Sequence, residues 1–298
     1  MANNIDWGQG AVNNNIGWGQ GASSNSISWG ISQKDSYSGE TEIYGIRADA
    51  DSIAFYSKVT AAGGTLTATE QAAVNQLVVD LKAKGLWTSM KAIYPMVGSS
   101  AAACAQNLKS SSFTGTFAGG WTFASTGATP NGTNAYMNTT LTPSISSTQD
   151  STHYSFYSRT NNSLAQTEMG IVGINPYRWN LELRYLGTLS SDQYNYTTNR
   201  ITGANTNSLG YYIATRTNNT THKIFKNNVQ FSTTNTTTSS LISFINAPVY
   251  IGTANNGGNV FSSKQCAFAS IGDGLTNTQA ADFYTSVQAF QTTLSRQV

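Results

Sequence analysis

The side chains able to do chemistry in this chain are few and scattered. His153 and His222 are its two histidines, the type whose ordinary pKa permits proton exchange near neutral pH. His153 alternates with aromatics in His153-Tyr154-Ser155-Phe156-Tyr157, and His222 lies in a Thr/Asn-rich stretch. No Gly-x-Ser-x-Gly elbow, His-x-x-x-His spacing or phosphate-cradling loop accompanies them, so both are expected to be structural or solvated. Glycoside cleavage needs paired carboxylates, whereas Asp150, Glu168, Glu182 and Asp192 are spread along the central region. Cys104 and Cys266 are expected to act as small buried hydrophobes. With no acidic cluster to hold calcium, the expectation is a protein without catalysis, cofactor or metal.

Binding is the stronger expectation. Tyr177, Trp179, Tyr185, Tyr194, Tyr196, Tyr211 and Tyr212 form an aromatic-rich stretch beside Asn175, Arg178, Asn180 and Asn195. Aromatic faces with neutral polar neighbours suit sugar rings, but strand alternation sends half of these residues into the core. Tyr194 and Tyr196, in the polar segment Ser190–Arg200, are expected to be exposed. The glycan-binding candidates are Tyr177, Trp179, Tyr194, Asn195 and Tyr196. Charged residues make up only 10 % of the chain, against about 25 % usually, which points to a neutral glycan and to binding insensitive to salt.

A net charge of +2 without a basic patch argues against nucleic acid as a partner. No long apolar run suggests a membrane span, and no apolar leader suggests a signal peptide. The Asn-x-Ser/Thr triplets at Asn131, Asn138, Asn195, Asn219 and Asn235 then follow from an Asn/Thr-rich composition.

Two periodicities position these residues. Asp49 to Val59 reads as a short helix capped by Asp49 or Asp51, with Ile53, Phe55, Tyr56 and Val59 facing inward. Thr67-Ala68-Thr69-Glu70 is a capping box. Val74, Leu77, Val78 and Leu81 follow at helical spacing and Gly85 stops the helix, predicting helix over Ala68–Lys84. Ile93 to Val97 reads as a strand whose Pro95 confines it to an edge or bulge. From Leu108 the period changes to two, giving roughly ten short strands and a tight hairpin at Lys226-Asn227-Asn228. A sandwich or jelly roll is expected, closed by a helix that opens at Thr276 or Thr278 and carries Ala280, Phe283, Tyr284, Val287, Phe290 and Leu294 back across it.

The first thirty residues follow another rule. Ile5-Asp6-Trp7-Gly8, Ile16-Gly17-Trp18-Gly19 and Ile27-Ser28-Trp29-Gly30 repeat Ile-x-Trp-Gly at an eleven-residue period. Each unit reads as a short strand with one aliphatic and one aromatic group on the same face, then a bend. Such an arm buries too little to order itself. Ile5, Trp7, Ile16, Trp18, Ile27 and Trp29 are therefore the anchoring candidates, docked on sister copies or on another protein.

This arm, running into Asp35-Ser36-Tyr37-Ser38-Gly39-Glu40-Thr41, resembles the N-termini of structural proteins of tailed bacteriophages, particularly those of Bacteroidetes hosts. Thr60 to Thr67, Gly85-Leu86-Trp87, Lys91 to Gly98 and Asn107-Leu108-Lys109 resemble segments of the same group. The resemblance implies a virion surface protein, a head or tail fibre or decoration, without a shared enzymatic motif. It implies a homotrimer held to a capsid or tail protein through residues 1–31. From Leu108 onward the order of strands resembles a concanavalin/laminin-G-like jelly roll, which implies a lectin-like head for host-surface polysaccharide. The organisation expected is a 1–47 arm, a 48–107 helical platform and a 108–298 head. A polysaccharide-depolymerising tailspike or a free lectin-like adhesin is the alternative, favoured if acids gather in one groove.

Overall fold

Helix ends are set by local chemistry. Asp49 accepts the Asp51 N–H at the start of α1 (Ala50–Ala61). Thr67 and Glu70 exchange side-chain-to-backbone bonds at the start of α2 (Ala68–Ala83), the reciprocal box that satisfies two free donors. Both helices stop on a glycine in the left-handed region, Gly63 at φ +82° and Gly85 at φ +67°, where other residues pay for their Cβ. The inward stripe of α1 is Ser52, Phe55 and Val59, with Ile53 and Tyr56 half-buried.

The computed structural model describes residues 48–173, 177–238 and 246–298. The arm with Ile5, Trp7, Ile16, Trp18, Ile27 and Trp29, and Asn175 of the aromatic stretch, lie outside them. After α2 come β1 (Met90–Tyr94), a short helix α3 (Ala101–Cys104), β2 (Thr116–Ala118), β3 (Trp121–Ala124), β4 (Gly127–Pro130) and β5 (Tyr136–Asn138). A second short helix, α4 (Pro143–Ser146), leads to β6 (Thr152–Ser158), β7 (Met169–Val172), β8 (Arg178–Tyr185), β9 (Thr188–Gln193) and β10 (Arg200–Ala204). The chain continues through β11 (Gly210–Arg216), β12 (His222–Lys226), β13 (Val229–Gln230), β14 (Tyr250–Ile251), β15 (Ala254–Asn255), β16 (Cys266–Gly272) and α5 (Asn277–Thr293).

The strands form two eight-stranded sheets. The first runs β13-β12-β11-β6-β16-β4-β3, with β1 also on β16; the second runs β10-β9-β8-β7-β14-β5-β2, with β15 also on β7. Among the described strands every pairing is antiparallel except β15 with β7. The chain passes from β6 to the second sheet for β7–β10, back for β11–β13, over for β14–β15 and back for β16. This repeated crossing is what makes the sandwich a jelly roll. The chain is mainly β, as its period-two patterning implies. Asn227 and Asn228, at φ +47° and +64°, make the expected tight turn between β12 and β13.

Two layers of core result. Between the sheets pack Tyr154, Phe156, Tyr212 and Ile224 from the first and Met169, Trp179, Leu181 and Leu189 from the second. Against the outer face of the first sheet pack α1, α2 and α5, where Phe55, Val74 and Phe283 share a cluster with Tyr211 and Phe268 and Phe283 meets both rings edge-on. Residues 48–107, set apart in the sequence by their helical period, therefore share a core with the strands. β1 is itself a strand of the first sheet, paired through Ala92 and Tyr94 with β16. It ends before Pro95, which has no N–H to extend the ladder.

The α5 helix opens at Thr276 with a second capping box, through Gln279. Beyond its end Arg296 is fully buried and donates to the carbonyls of Pro95, Met96 and Ala267. It ties the C-terminal segment to the end of β1. Cys104 and Cys266 are free and buried, and burial pushes the Cys104 thiol up to about 12.

Candidate functional site

Alternation along β8 creates the site. Trp179, Leu181 and Leu183 enter the core, so Arg178, Asn180 and Glu182 face outward. Pairing aligns them with their neighbours: Asn180 lies opposite Asp192, and Asp192 opposite Arg200. Glu182 lies opposite Ser190, and Ser190 opposite Thr202. On the other side Asn180 faces Gly170. A Cβ at Gly170, whose φ is +154°, would collide with the Asn180 side chain, so the glycine makes room for the asparagine.

The result is a groove of about 550 Å³ on the outer face of the second sheet. Its floor is polar, with Arg178, Asn180, Glu182, Ser190, Arg200 and Thr202, while Val172, Tyr185, Leu186 and Val260 supply apolar walls. Leu186, in the β8–β9 turn, is 68 % exposed, so the rim offers an unscreened aliphatic face. A smaller hollow of about 250 Å³, lined mainly by threonines with Lys223 and Asn277, lacks such a set of charged and aromatic groups.

The charges on this face are paired unevenly. Arg200 holds Asp192 with two hydrogen bonds, Nε to Oδ1 at 2.8 Å and Nη2 to Oδ2 at 2.7 Å. That bond raises the Arg200 pKa further. Glu168 and Lys264, both fully buried, form a second pair at 3.0 Å, and Glu168 also accepts the Leu183 N–H. Among the described residues Glu182 has no such cation at ion-pair distance; the Asn180 amide donates to it at 3.2 Å. Burial raises its pKa to about 7, helped by Asp192 and Glu168 and opposed by Arg200 and Arg178. Arg178 packs over the Tyr196 ring at 4.6 Å, and Arg200 lies 5.8 Å from the same ring.

The glycan-binding candidates separate sharply. Trp179 is buried edge-on against Tyr154 at 4.4 Å and cannot meet a ligand. Tyr194, expected to be exposed because it lies in the polar segment Ser190–Arg200, is fully buried. Its φ of +78° breaks the alternation and turns the ring inward, where its hydroxyl donates to the Thr148 carbonyl at 3.3 Å. Asn195 is buried and shapes the turn by accepting the Thr197 and Thr198 N–H groups. Tyr177 is half-buried against the core. Tyr196 alone, half-buried, stands at the groove, through its two arginines.

Sequence reasoning missed Ser190, Arg200 and Thr202 because β9 and β10 carry no hydrophobic alternation, and it named Glu182 only as one of the scattered acids. Even the inward side of β9 includes Ser191 and Gln193, both buried. The histidines are structural. His222 Nδ1 donates to the Asn199 carbonyl at 2.8 Å, leaving Nε2 to accept from Ser191 at 3.1 Å. His153 Nδ1 donates to the Asp273 carbonyl. Burial lowers their pKa values to about 3 and about 4.

No family model and no curated protein matches the chain. Among solved structures it is similar to domain 4 of AbnA, an extracellular GH43 arabinanase from Geobacillus stearothermophilus, in complex with arabinotriose. The identity is 15 %, over 65 % of this chain and 98 % of that domain, with a TM-score of 0.48. The botulinum neurotoxin serotype D binding domain is 11 % identical over 67 % of this chain, at a TM-score of 0.44. A Trypanosoma rangeli sialidase mutant displaying trans-sialidase activity is 8 % identical over 72 %, at 0.48. The chain spans 52 % of the toxin domain and 39 % of the sialidase. Identity and overlap this low say nothing of a shared ligand.

Proposed function

We propose that the groove lined by Arg178, Asn180, Ser190, Thr202 and Leu186, with Tyr196 behind its two arginines, is a glycan-binding site and that the protein acts by adhesion, not by catalysis. The observation that carries this reading is the combination of a polar floor with apolar walls in one groove. Hydroxyls of a sugar ring find partners on Asn180, Ser190 and Thr202, while its C–H faces meet Tyr185 and Leu186. Hydrolysis would need a second available carboxylate beside Glu182. Asp192 is locked by Arg200 and Glu168 by Lys264, which disfavours the depolymerase alternative.

The wider role follows from the repeat arm and its resemblance to phage structural proteins. In this reading residues 1–31 anchor a trimer to a capsid or tail protein, and the sandwich is a surface head. One site of millimolar affinity contributes roughly 4 kcal/mol; three on a rigid assembly gain strongly by avidity. A glycan array with the intact oligomer tests this. Binding weakened by Tyr196→Ala, with the fold retained, supports it, and the absence of any glycan above background refutes it.

A further inference from the structure

Arg178 is the cation of this groove that no ion pair holds, with Glu182 two strand positions away from it, further along the same face, as its nearest acidic influence. Arg200 is bound to Asp192 and Lys264 to Glu168, but among the described residues no carboxylate lies within ion-pair distance of Arg178. Its guanidinium rests on Tyr196, a contact that uses none of its five N–H donors. Packing against a ring also limits the rotamers it would otherwise lose on binding. The floor beside it offers neutral hydroxyl and amide groups: Asn180, Ser190, and Thr202, whose hydroxyl lies 3.3 Å from that of Ser190.

We infer that the ligand is an acidic glycan, one bearing a carboxylate of the uronic acid type, which Arg178 receives through its planar fork while the neighbouring hydroxyls bind the sugar ring. The inference rests on the glycan-binding reading and adds its substrate class. A guanidinium matches a carboxylate in a two-point arrangement that a hydroxyl cannot reproduce. Low overall charge suggested a neutral glycan, but the chain gathers Arg178, Arg200, Asp192 and Glu182 on this one face.

The other titratable groups set the pH dependence. Facing or flanking Arg178 are Glu182 on its own strand, Asp192 on β9, Arg200 on β10, Tyr196 beyond β9, Tyr185 at the end of β8, and the Glu168–Lys264 pair behind β7. The two ion pairs are internally neutral. Glu182 is the group that changes charge near pH 7, and its ionised form repels the ligand carboxylate. Binding should weaken as pH rises from 6 to 8, and Glu182→Gln should remove that dependence.

The test uses the full chain on an array of uronic-acid oligosaccharides printed beside their carboxyl-reduced counterparts. The expected result is binding to the acidic set alone, weakened by added salt, reduced roughly tenfold to a hundredfold in Arg178→Gln and partly restored in Arg178→Lys. Equal binding to the reduced set, or an Arg178→Gln protein that binds unchanged, overturns the acidic ligand and leaves the groove reading standing. Binding to neither set, nor to any neutral glycan, overturns both.

Discussion

Arg200 and Asp192, directly opposite on β10 and β9, are joined by two parallel hydrogen bonds at 2.8 and 2.7 Å, with the aspartate side chain fully buried and the arginine 29 % exposed. The pair fixes the groove edge and removes the acid from chemistry. Asp192→Asn strands a half-buried cation, which costs less than the 3–5 kcal/mol of a fully buried break. A loss of about 2 kcal/mol in urea unfolding is expected, and a loss under about 0.5 kcal/mol would show that the pair is screened like a surface one.

Acid stability follows from three buried groups. His153 and His222 have folded pKa values of about 4 and about 3, below the ordinary value of about 6.5. The unfolded chain therefore takes up their protons first, and the stability they contribute above pH ~6.5 is lost as pH falls toward those folded values. Each histidine gives up to about 1.4 kcal/mol per pH unit. Glu182 works oppositely. Its folded value of about 7 lies above the usual 4.5, so its contribution is present at low pH and lost as pH rises through 7. Between pH 4.5 and 6.5 it offsets one histidine. Glu182→Gln should double the slope of stability against pH in that window, measured by urea unfolding; an unchanged slope would mean that Glu182 ionises normally.

Thr67→Ala removes one half of the α2 capping box and should cost about 1 kcal/mol. Glu70→Ala should cost more, because Glu70 Oε1 also accepts the Gly98 N–H at 2.7 Å and would leave that donor unmet. Thermal melts of the two variants check the order.

Deleting residues 1–31 tests the anchoring arm. The expected product is a folded, soluble body that no longer joins a particle, scored by incorporation of the truncated chain. Normal incorporation would place the anchor elsewhere.

Local signals were legible in the sequence where a single residue decides the backbone. The Thr67–Glu70 box, the glycine stop at Gly85 and the Asn227-Asn228 turn are each visible without tertiary context, and so is the inward face of α5. The groove was not. It depends on β9 and β10, whose polar residues face both ways, so period-two patterning never marked them as strands. Tyr194 was misplaced because a polar neighbourhood suggested exposure, whereas its positive φ turns the ring into the core. Residues brought together by pairing across four strands, such as Gly170, Asn180, Asp192 and Arg200, lie up to 30 positions apart and carry no spacing that declares them. The helical residues before 108 looked like a separate platform because period reveals local structure and not the surface on which a helix packs.

Blocking the groove tests the proposed glycan site. Thr202 lines the groove yet is exposed, so Thr202→Trp fills the space without disturbing the core. Calorimetric titration with an oligosaccharide that binds the wild-type protein should show at least a tenfold loss of affinity in this variant, with an unchanged melting curve. Full affinity in Thr202→Trp would place the ligand elsewhere.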